Sequence, residues 1–272
     1  MENSVCNLKI GFIGAGHLAT ALVEGLVGSG MDPALITVSN RSTEKLDALK
    51  EASGVNVTPD NSAVAKASDV LFLTVKPNMY PEIIEEIRGD VADGALVVTP
   101  AAGLKIASTE SGLGAGAKVV RCMPNMPSSL GEGMNAVCAG NNVTAGDKQA
   151  VEAVFSMLGR FCWVEEELFD AVTGVSGSGP AYGYLFIDAM AKAGEHLGMS
   201  REDSVVFAAQ TVLGAAKTVL ESGADPSALC DKVCTPGGTT IEAVKVLEGD
   251  GIYDTVDRAI AACAARSAEL GR

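Results

Sequence analysis

Lys9-Ile-Gly-Phe-Ile-Gly-Ala-Gly-His-Leu-Ala-Thr20 is the stretch whose reading decides the fold. Leu8, Ile10, Phe12 and Ile13 read as a short buried strand, Gly14-Ala-Gly16 as a turn, and the residues from His17 onward as a helix. Gly14, Gly16 and Ala19 form Gly-x-Gly-x-x-Ala, and strand, glycine turn, helix is the context that a dinucleotide fingerprint requires. Gly14 permits the tight turn, Gly16 lets a pyrophosphate approach the backbone, and Ala19 is small enough for the helix to lie against the strand. The helix N-terminus then turns N–H groups and the positive end of its dipole toward phosphate.

Working outward, strands are expected at residues 35–39, 55–57, 69–75, 95–98 and 118–121, with helices between several of them and two further strands at 134–138 and 161–164. That alternation predicts α/β architecture with a Rossmann-type doubly wound sheet over residues 1–165. Beyond Glu165-Glu-Glu167 only helices are expected, giving an all-helical dimerisation and substrate-binding domain over 166–272. Ser200-Arg-Glu-Asp203 is a helix start signal. The helix it opens carries Val205, Ala208, Ala209, Val212, Leu213, Ala216, Val219 and Leu220 at helical spacing, with Val206 and Ala215 on another face. A helix apolar on more than one face calls for a second subunit, so a homo-oligomer is expected.

The bulk properties narrow the function classes. The 272 residues carry a formal net charge of −14, which disfavours nucleic-acid binding by phosphate neutralisation. The seven cysteines, at 6, 122, 138, 162, 230, 234 and 263, form no Cys-x-x-Cys, and with His17 and His196 as the two histidines no metal site is expected. Met1-Glu-Asn-Ser-Val-Cys6 lacks the basic and apolar regions of a leader, and the apolar stretch 205–220 is interrupted by Gln210, Thr211, Lys217 and Thr218. A cytoplasmic chain without membrane segments is expected.

The loops at 14–18, 40–42, 74–77, 100–103 and 121–125 all fall at the C-terminal ends of expected strands, where such sheets bind ligands. Asn40-Arg41-Ser42 stands where an acid would bind the ribose 2′-hydroxyl of NAD. An amide, a guanidinium and a hydroxyl there suit a 2′-phosphate, so NADP(H) is favoured, with NAD(H) as the alternative. In the helical half, Val175-Ser-Gly-Ser-Gly-Pro-Ala-Tyr182 reads as a small, flexible interruption. Cys234-Thr-Pro-Gly-Gly-Thr-Thr240 places two glycines and hydroxyls before a helix, an arrangement suited to a carboxylate, although Thr239 and Thr240 can equally cap that helix. These loops hold no Ser–His–Asp set, which leaves hydride transfer to an already electrophilic carbon, such as an iminium, as the chemistry that asks least of the protein.

Together these segments resemble the pyrroline-5-carboxylate reductase family. The resemblance rests on Gly11-Phe-Ile-Gly-Ala-Gly16, Val75-Lys-Pro77, Ala101-Ala-Gly103, Arg121-Cys-Met-Pro-Asn125, Asp170-Ala-Val-Thr-Gly-Val-Ser-Gly-Ser-Gly-Pro-Ala-Tyr182, Leu213-Gly-Ala-Ala-Lys217 and Pro236-Gly-Gly-Thr-Thr-Ile-Glu-Ala243. It implies reduction of 1-pyrroline-5-carboxylate to L-proline, with active sites at the boundary between interleaved subunits. It also implies cofactor contacts from Ile13, Gly14, Ala15, Gly16, His17, Leu18, Asn40, Arg41, Ser42, Asn61, Thr74, Val75, Lys76, Pro77, Pro100, Ala101 and Ala102. Ser176, Gly177, Ser178, Gly238, Thr239 and Thr240 would surround the substrate, with Thr240 orienting the ring nitrogen or relaying a proton and water as an equal proton source. Three positions depart from the family pattern: His17 for Asn or Gln, Pro100 for Ser or Cys, and Thr235 for Ser. Pro100 brings no N–H and no hydroxyl or thiol to the cofactor.

The rival readings are another imine reductase or a β-hydroxyacid reductase of the same plan, and a non-enzymatic NADP-binding dimeric regulator. The second enzyme would place a Lys acid on a long helix, and neither Lys192 nor Lys217 is flanked as that requires. The regulator would need the cofactor turn but not the 176–182 and 235–240 loops.

Overall fold

Strand β1 (Ile10–Ile13) sits inside an eight-stranded sheet in the computed structural model, which describes residues 7–271. The N-terminal hexapeptide with Cys6, and Arg272, lie outside the described residues. The other strands are β2 (Ile36–Ser39), β3 (Asn56–Thr58), β4 (Val70–Leu73), β5 (Leu96–Thr99), β6 (Lys118–Met123), β7 (Gly133–Ala139) and β8 (Gly159–Trp163). Their order is β3-β2-β1-β4-β5-β6-β7-β8. β1 to β6 are parallel, β7 runs antiparallel to β6, and β8 is parallel to β7. The winding reverses between β1 and β4, and the crevice beyond their carboxyl ends is the switch point where this fold takes ligands.

Period-two alternation builds two cores. Ile10, Phe12, Val70 and Phe72 face one side, under α1 (His17–Gly28), α2 (Thr43–Ser53) and α6 (Ala145–Met157). Ile13, Leu71 and Leu73 face the other, under α3 (Asn61–Ala67) and α4 (Tyr80–Ile87). Phe12 and Phe72 are paired in register, and their rings stack with centroids 4.8 Å apart. Burying each such ring is worth roughly 1.5–3 kcal/mol. Gly11 belongs to this packing, because a Cβ there would lie 2.0 Å from Ser68 Oγ.

One helix, α5 (Ile106–Leu113), is not announced by the sequence. Its segment Ile-Ala-Ser-Thr-Glu-Ser-Gly-Leu is poor in helix formers, and its first N–H donates to Glu166 Oε1 at 2.7 Å. Past β8 the described residues form helices joined by short loops and no further strand, beginning with α7 (Phe169–Val172) and a π-helical turn at Thr173–Gly177. The interruption expected at 175–182 is thus a π-helical turn followed by a bend at Ser178, not an open loop. Ser178 N–H donates to the Thr173 carbonyl at 2.9 Å, and α8 (Gly179–His196) follows at once.

Compactness divides the chain elsewhere than secondary structure does. Residues 7–178 and 262–271 form one unit, and Gly179–Ala261 forms the other. Within the second unit, α8 packs on α9 (Arg201–Ser222), with a short loop closed by Arg201, which pairs with Asp188 at 2.6 Å and Glu195 at 3.0 Å. Next come α10 (Pro226–Val233), α11 (Thr239–Gly249) and α12 (Ile252–Leu270), whose later turns belong to the first unit. Ser204 and Ala208 are the residues of α9 that are buried, whereas Val206, Phe207, Leu213 and Leu220 are more than half exposed. No helix of the described residues is long and apolar enough to cross a membrane.

Candidate active site

The glycine turn closes against the far side of the switch point. Gly14 has φ +106°, and a Cβ on it would meet the Thr74 carbonyl oxygen at 2.7 Å. Thr74 Oγ1 donates toward the carbonyls of Ile13 (3.1 Å) and Gly14 (2.8 Å), and Gly14 N–H donates to the Ser39 carbonyl at 2.8 Å. Asn40 Oδ1 accepts from Ala15 N–H at 3.3 Å, and Asn40 Nδ2 donates to the Ser42 carbonyl. The ends of β1, β2 and β4 are thereby tied into one rim.

At Gly16 the situation is reversed. It is exposed, it is the N-cap of α1 without a side-chain cap, and a Cβ there would meet nothing within 4 Å. The first N–H groups of α1 thus face an approachable surface, which fits a dinucleotide pyrophosphate. His17 and Lys76 are exposed on the same loops, and Leu18, Val75 and Pro77 are half-buried. Ile13, Ala15, Pro100 and Ala101 are buried, so they can contribute only backbone or a flat edge. Ala102 is half-buried. Asn61 is occupied at both ends, accepting from Ser39 Oγ at 2.7 Å and donating to Glu86 Oε2 at 2.9 Å, which makes it a support of the rim.

Arg41 is exposed and pairs with Glu82 Oε1 at 2.6 Å. Its acidic partner lies forty-one residues away. Lys45 lines a cleft of about 300 Å³ with Gly16, His17 and Thr20. Its signal in the sequence is a cation four residues past Arg41. The loop after β4 is fixed from below by Tyr80, whose hydroxyl donates to the Leu73 carbonyl. Burial, then the neighbouring Cys122, pushes its pKa well above the usual tyrosine value, so it stays a neutral donor. Burial likewise raises the Cys122 and Cys138 thiols, which disfavours the thiolate at both.

In the substrate segments, Ser176, Gly177 and Ser178 are half-buried on the π-helical turn. Ser178 Oγ lies 3.2 Å from Cys263 Sγ, and Asn125 Nδ2 donates to the Ser176 carbonyl at 3.1 Å. In the second unit, Gly237 has φ +72° and Gly238 N–H donates to the Thr235 carbonyl at 2.9 Å. A Cβ on Gly238 would sit 2.5 Å from Thr235 Oγ1. Both glycines therefore have a local structural reason. Neither Thr239 nor Thr240 caps α11. Gly238 is the N-cap and makes no side-chain cap hydrogen bond, so the first N–H groups of this helix keep their capacity for an anion. Among the described residues no group of three His, Cys, Asp or Glu side chains is placed to hold a metal ion.

Two family models match the chain. "Pyrroline-5-carboxylate reductase dimerisation" covers residues 166–270, and "NADP oxidoreductase coenzyme F420-dependent" covers residues 9–103. The pyrroline-5-carboxylate reductase of Escherichia coli (strain K12) is 41% identical over 265 residues, covering 97% of this chain and 98% of that protein. The enzyme of the same name from Methanosarcina acetivorans is 39% identical, covering 98% and 99%. Among solved structures, a pyrroline-5-carboxylate reductase from Coxiella burnetii is 37% identical with a TM-score of 0.88, covering 98% of this chain and 99% of that one. A pyrroline carboxylate reductase from Plasmodium falciparum with NADP bound is 30% identical with a TM-score of 0.90, covering 99% and 100%. With an open glycine turn at the switch point, an uncapped helix N-terminus after Pro236-Gly-Gly, and relatives matched end to end, this chain belongs to the pyrroline-5-carboxylate reductase family.

Proposed function

We propose that the chain reduces 1-pyrroline-5-carboxylate to L-proline, with NADPH as the preferred reductant. The observation that carries this reading is likeness to such reductases over nearly the whole of both chains, through the cofactor and the helical halves alike. When bound, the cofactor supplies the hydride that the C=N carbon accepts, and a proton is taken up at the ring nitrogen.

The chain's own residues bind and orient. The turn at Gly14 and Gly16 and the start of α1 receive the pyrophosphate, with Thr74 and Asn40 keeping the turn in shape. Arg41, beside Asn40 and Ser42, receives the 2′-phosphate by exchanging its ion pair with Glu82 for a charge-assisted contact. The N–H groups at the start of α11 hold the imino-acid carboxylate, and the Thr240 hydroxyl orients the ring nitrogen or passes it a proton, with water as an equal source. The π-helical turn at Ser176–Ser178 completes the substrate surroundings.

The working form is a homodimer or an assembly of dimers, which covers the apolar face of α9 left exposed in one chain. The cytoplasm is its compartment, in keeping with the cysteines of the described residues, all of which are free.

The test is loss of absorbance at 340 nm on adding 1-pyrroline-5-carboxylate, run with NADPH and with NADH. Turnover, faster with NADPH at equal concentration, is expected. Tight NADPH binding without turnover would leave a different imine substrate or a cofactor-sensing role.

A further inference from the structure

The Ser176 carbonyl has a gap in its helical hydrogen bonding written into the sequence. In a continuous helix it would accept from the N–H of the residue four positions on, and that residue is Pro180, which has none. The donor comes instead from the loop after β6, in the same unit. Asn125, just past the end of β6, reaches the Ser176 carbonyl with Nδ2 at 3.1 Å, and the same nitrogen lies 3.5 Å from Ser176 Oγ. Its other end is fixed, because Asn125 Oδ1 accepts from Met134 N–H at 3.0 Å, on β7. The assignment of the amide's two ends follows from these partners, since a carbonyl needs a donor and an N–H needs an acceptor. Met123 supports the contact from beside it: a Cβ on Gly177 would lie 3.1 Å from the Met123 sulfur, so the turn rests directly on the end of β6.

We infer that Asn125 is a positioning residue for the reduction: it stands in for the missing amide of Pro180 and sets the Ser176–Ser178 turn to receive the imino acid. This rests on the proposed reading of that turn as part of the substrate surroundings. Asn125 acts through the turn and touches no reacting atom. The carbonyl it holds would otherwise be a half-buried acceptor without a helical donor, free to tilt the peptide and carry Ser176 Oγ with it.

The test uses the full chain and four variants, Pro180→Ala alone being the reference for the double variant. Asn125→Asp keeps an acceptor for Met134 N–H but removes the donor and sets a negative charge against the Ser176 carbonyl. Asn125→Ala removes both contacts. Asn125→Ala combined with Pro180→Ala returns an amide at the position where the carbonyl lacks one. The expected result is a KM for 1-pyrroline-5-carboxylate raised about tenfold in Asn125→Asp and Asn125→Ala, with the KM for NADPH changed less than about twofold. In the double variant the imino-acid KM is expected to fall back toward that of Pro180→Ala alone. A purely structural role would lower Tm and weaken both substrates together, and Pro180→Ala would not relieve it; that pattern overturns the inference. An unchanged imino-acid KM in Asn125→Asp also overturns it, as does failure of both single variants to fold. If the wild-type chain turns over 1-pyrroline-5-carboxylate while these criteria fail, the role of Asn125 alone is lost. If the wild-type chain does not turn it over, the reductase reading falls and takes this inference with it.

Discussion

The Arg41 guanidinium lies 2.6 Å from the Glu82 carboxylate, so the one cation of the Asn40-Arg41-Ser42 loop already has an anionic partner. A 2′-phosphate must compete with that partner. Both side chains are about two-thirds exposed, so the pair is worth at most about 1 kcal/mol. Arg41→Ala is expected to weaken NADPH much more than NADH in a fluorescence titration. Glu82→Gln is expected to tighten NADPH by up to about fivefold, with NADH unmoved and the gain shrinking in high salt. Equal effects on the two cofactors in either variant would remove Arg41 as the reader of the 2′-phosphate.

Gly14 and Gly16 separate folding from binding. Gly14→Ala forces an alanine to φ +106° and into the Thr74 carbonyl, at a cost of about 1–3 kcal/mol or more, read as a drop in Tm. Gly16→Ala meets no protein atom and is expected to cost less than about 1 kcal/mol of stability. NADPH affinity should nevertheless fall at least about tenfold, because the added methyl occupies the space left for the pyrophosphate. A Gly16→Ala protein that binds NADPH normally would remove the pyrophosphate from this turn.

Thr240→Ala is expected to lower kcat/KM for 1-pyrroline-5-carboxylate by about tenfold or more without a change in Tm, because its hydroxyl takes no part in capping α11. Thr240→Ser should retain most of the activity. Unchanged kinetics in Thr240→Ala would exclude the hydroxyl from the reaction.

Phe207 and Val206 on α9 are 64% and 62% exposed in one chain. Phe207→Glu, which places a charge where a second copy would pack, is expected to shift the protein to a smaller species in size-exclusion chromatography with light scattering. An unchanged mass would show that this face is not the subunit contact.

Asp147 gives a pH signature. Although burial pushes its carboxyl upward, hydrogen bonds from Thr144 and the Lys118 ammonium hold it, on balance, below the usual 3.8. A depressed native pKa contributes stability that is fully present above the unfolded value and is lost as pH falls through the native one. The Tm advantage of the wild type over Asp147→Asn is therefore expected to be constant near neutrality and to shrink below about pH 4. An advantage that persists unchanged at pH 2 would mean that the charge is not what Asp147 contributes.

What was legible in the sequence is what local pattern controls. The β1 turn, the strands, the Ser200 cap and the apolar excess of α9 all follow from spacing within a few residues. What was not legible depends on partners far along the chain. The first N–H of helix α5 donates to Glu166, sixty residues on, and the turn at 173–177 takes a donor from Asn125, fifty-one residues back. Read locally, Ser-Gly-Ser-Gly-Pro suggests a flexible break; held by Asn125, it forms a π-helical turn and a bend before α8. The glycines of Pro236-Gly-Gly invite a functional reading that local geometry already satisfies, since one takes a positive φ and the other a close approach to Thr235.

The return of α12 to the first unit bears on how the protein is made. A Cβ on Gly103 would meet Gly271 N at 2.4 Å, and Ser267 Oγ donates to Asp170 at 2.6 Å, so this stretch is packed into the sheet-bearing unit. On the ribosome, residues 262–271 are synthesised after the whole of the helical unit. The sheet can assemble early, but the loop at Gly103 waits for a segment that follows the rest of its unit only after residues 179–261. No single cut in the gene yields either unit intact, and a nascent chain stalled before residue 262 would carry a dinucleotide fold lacking one of its own pieces.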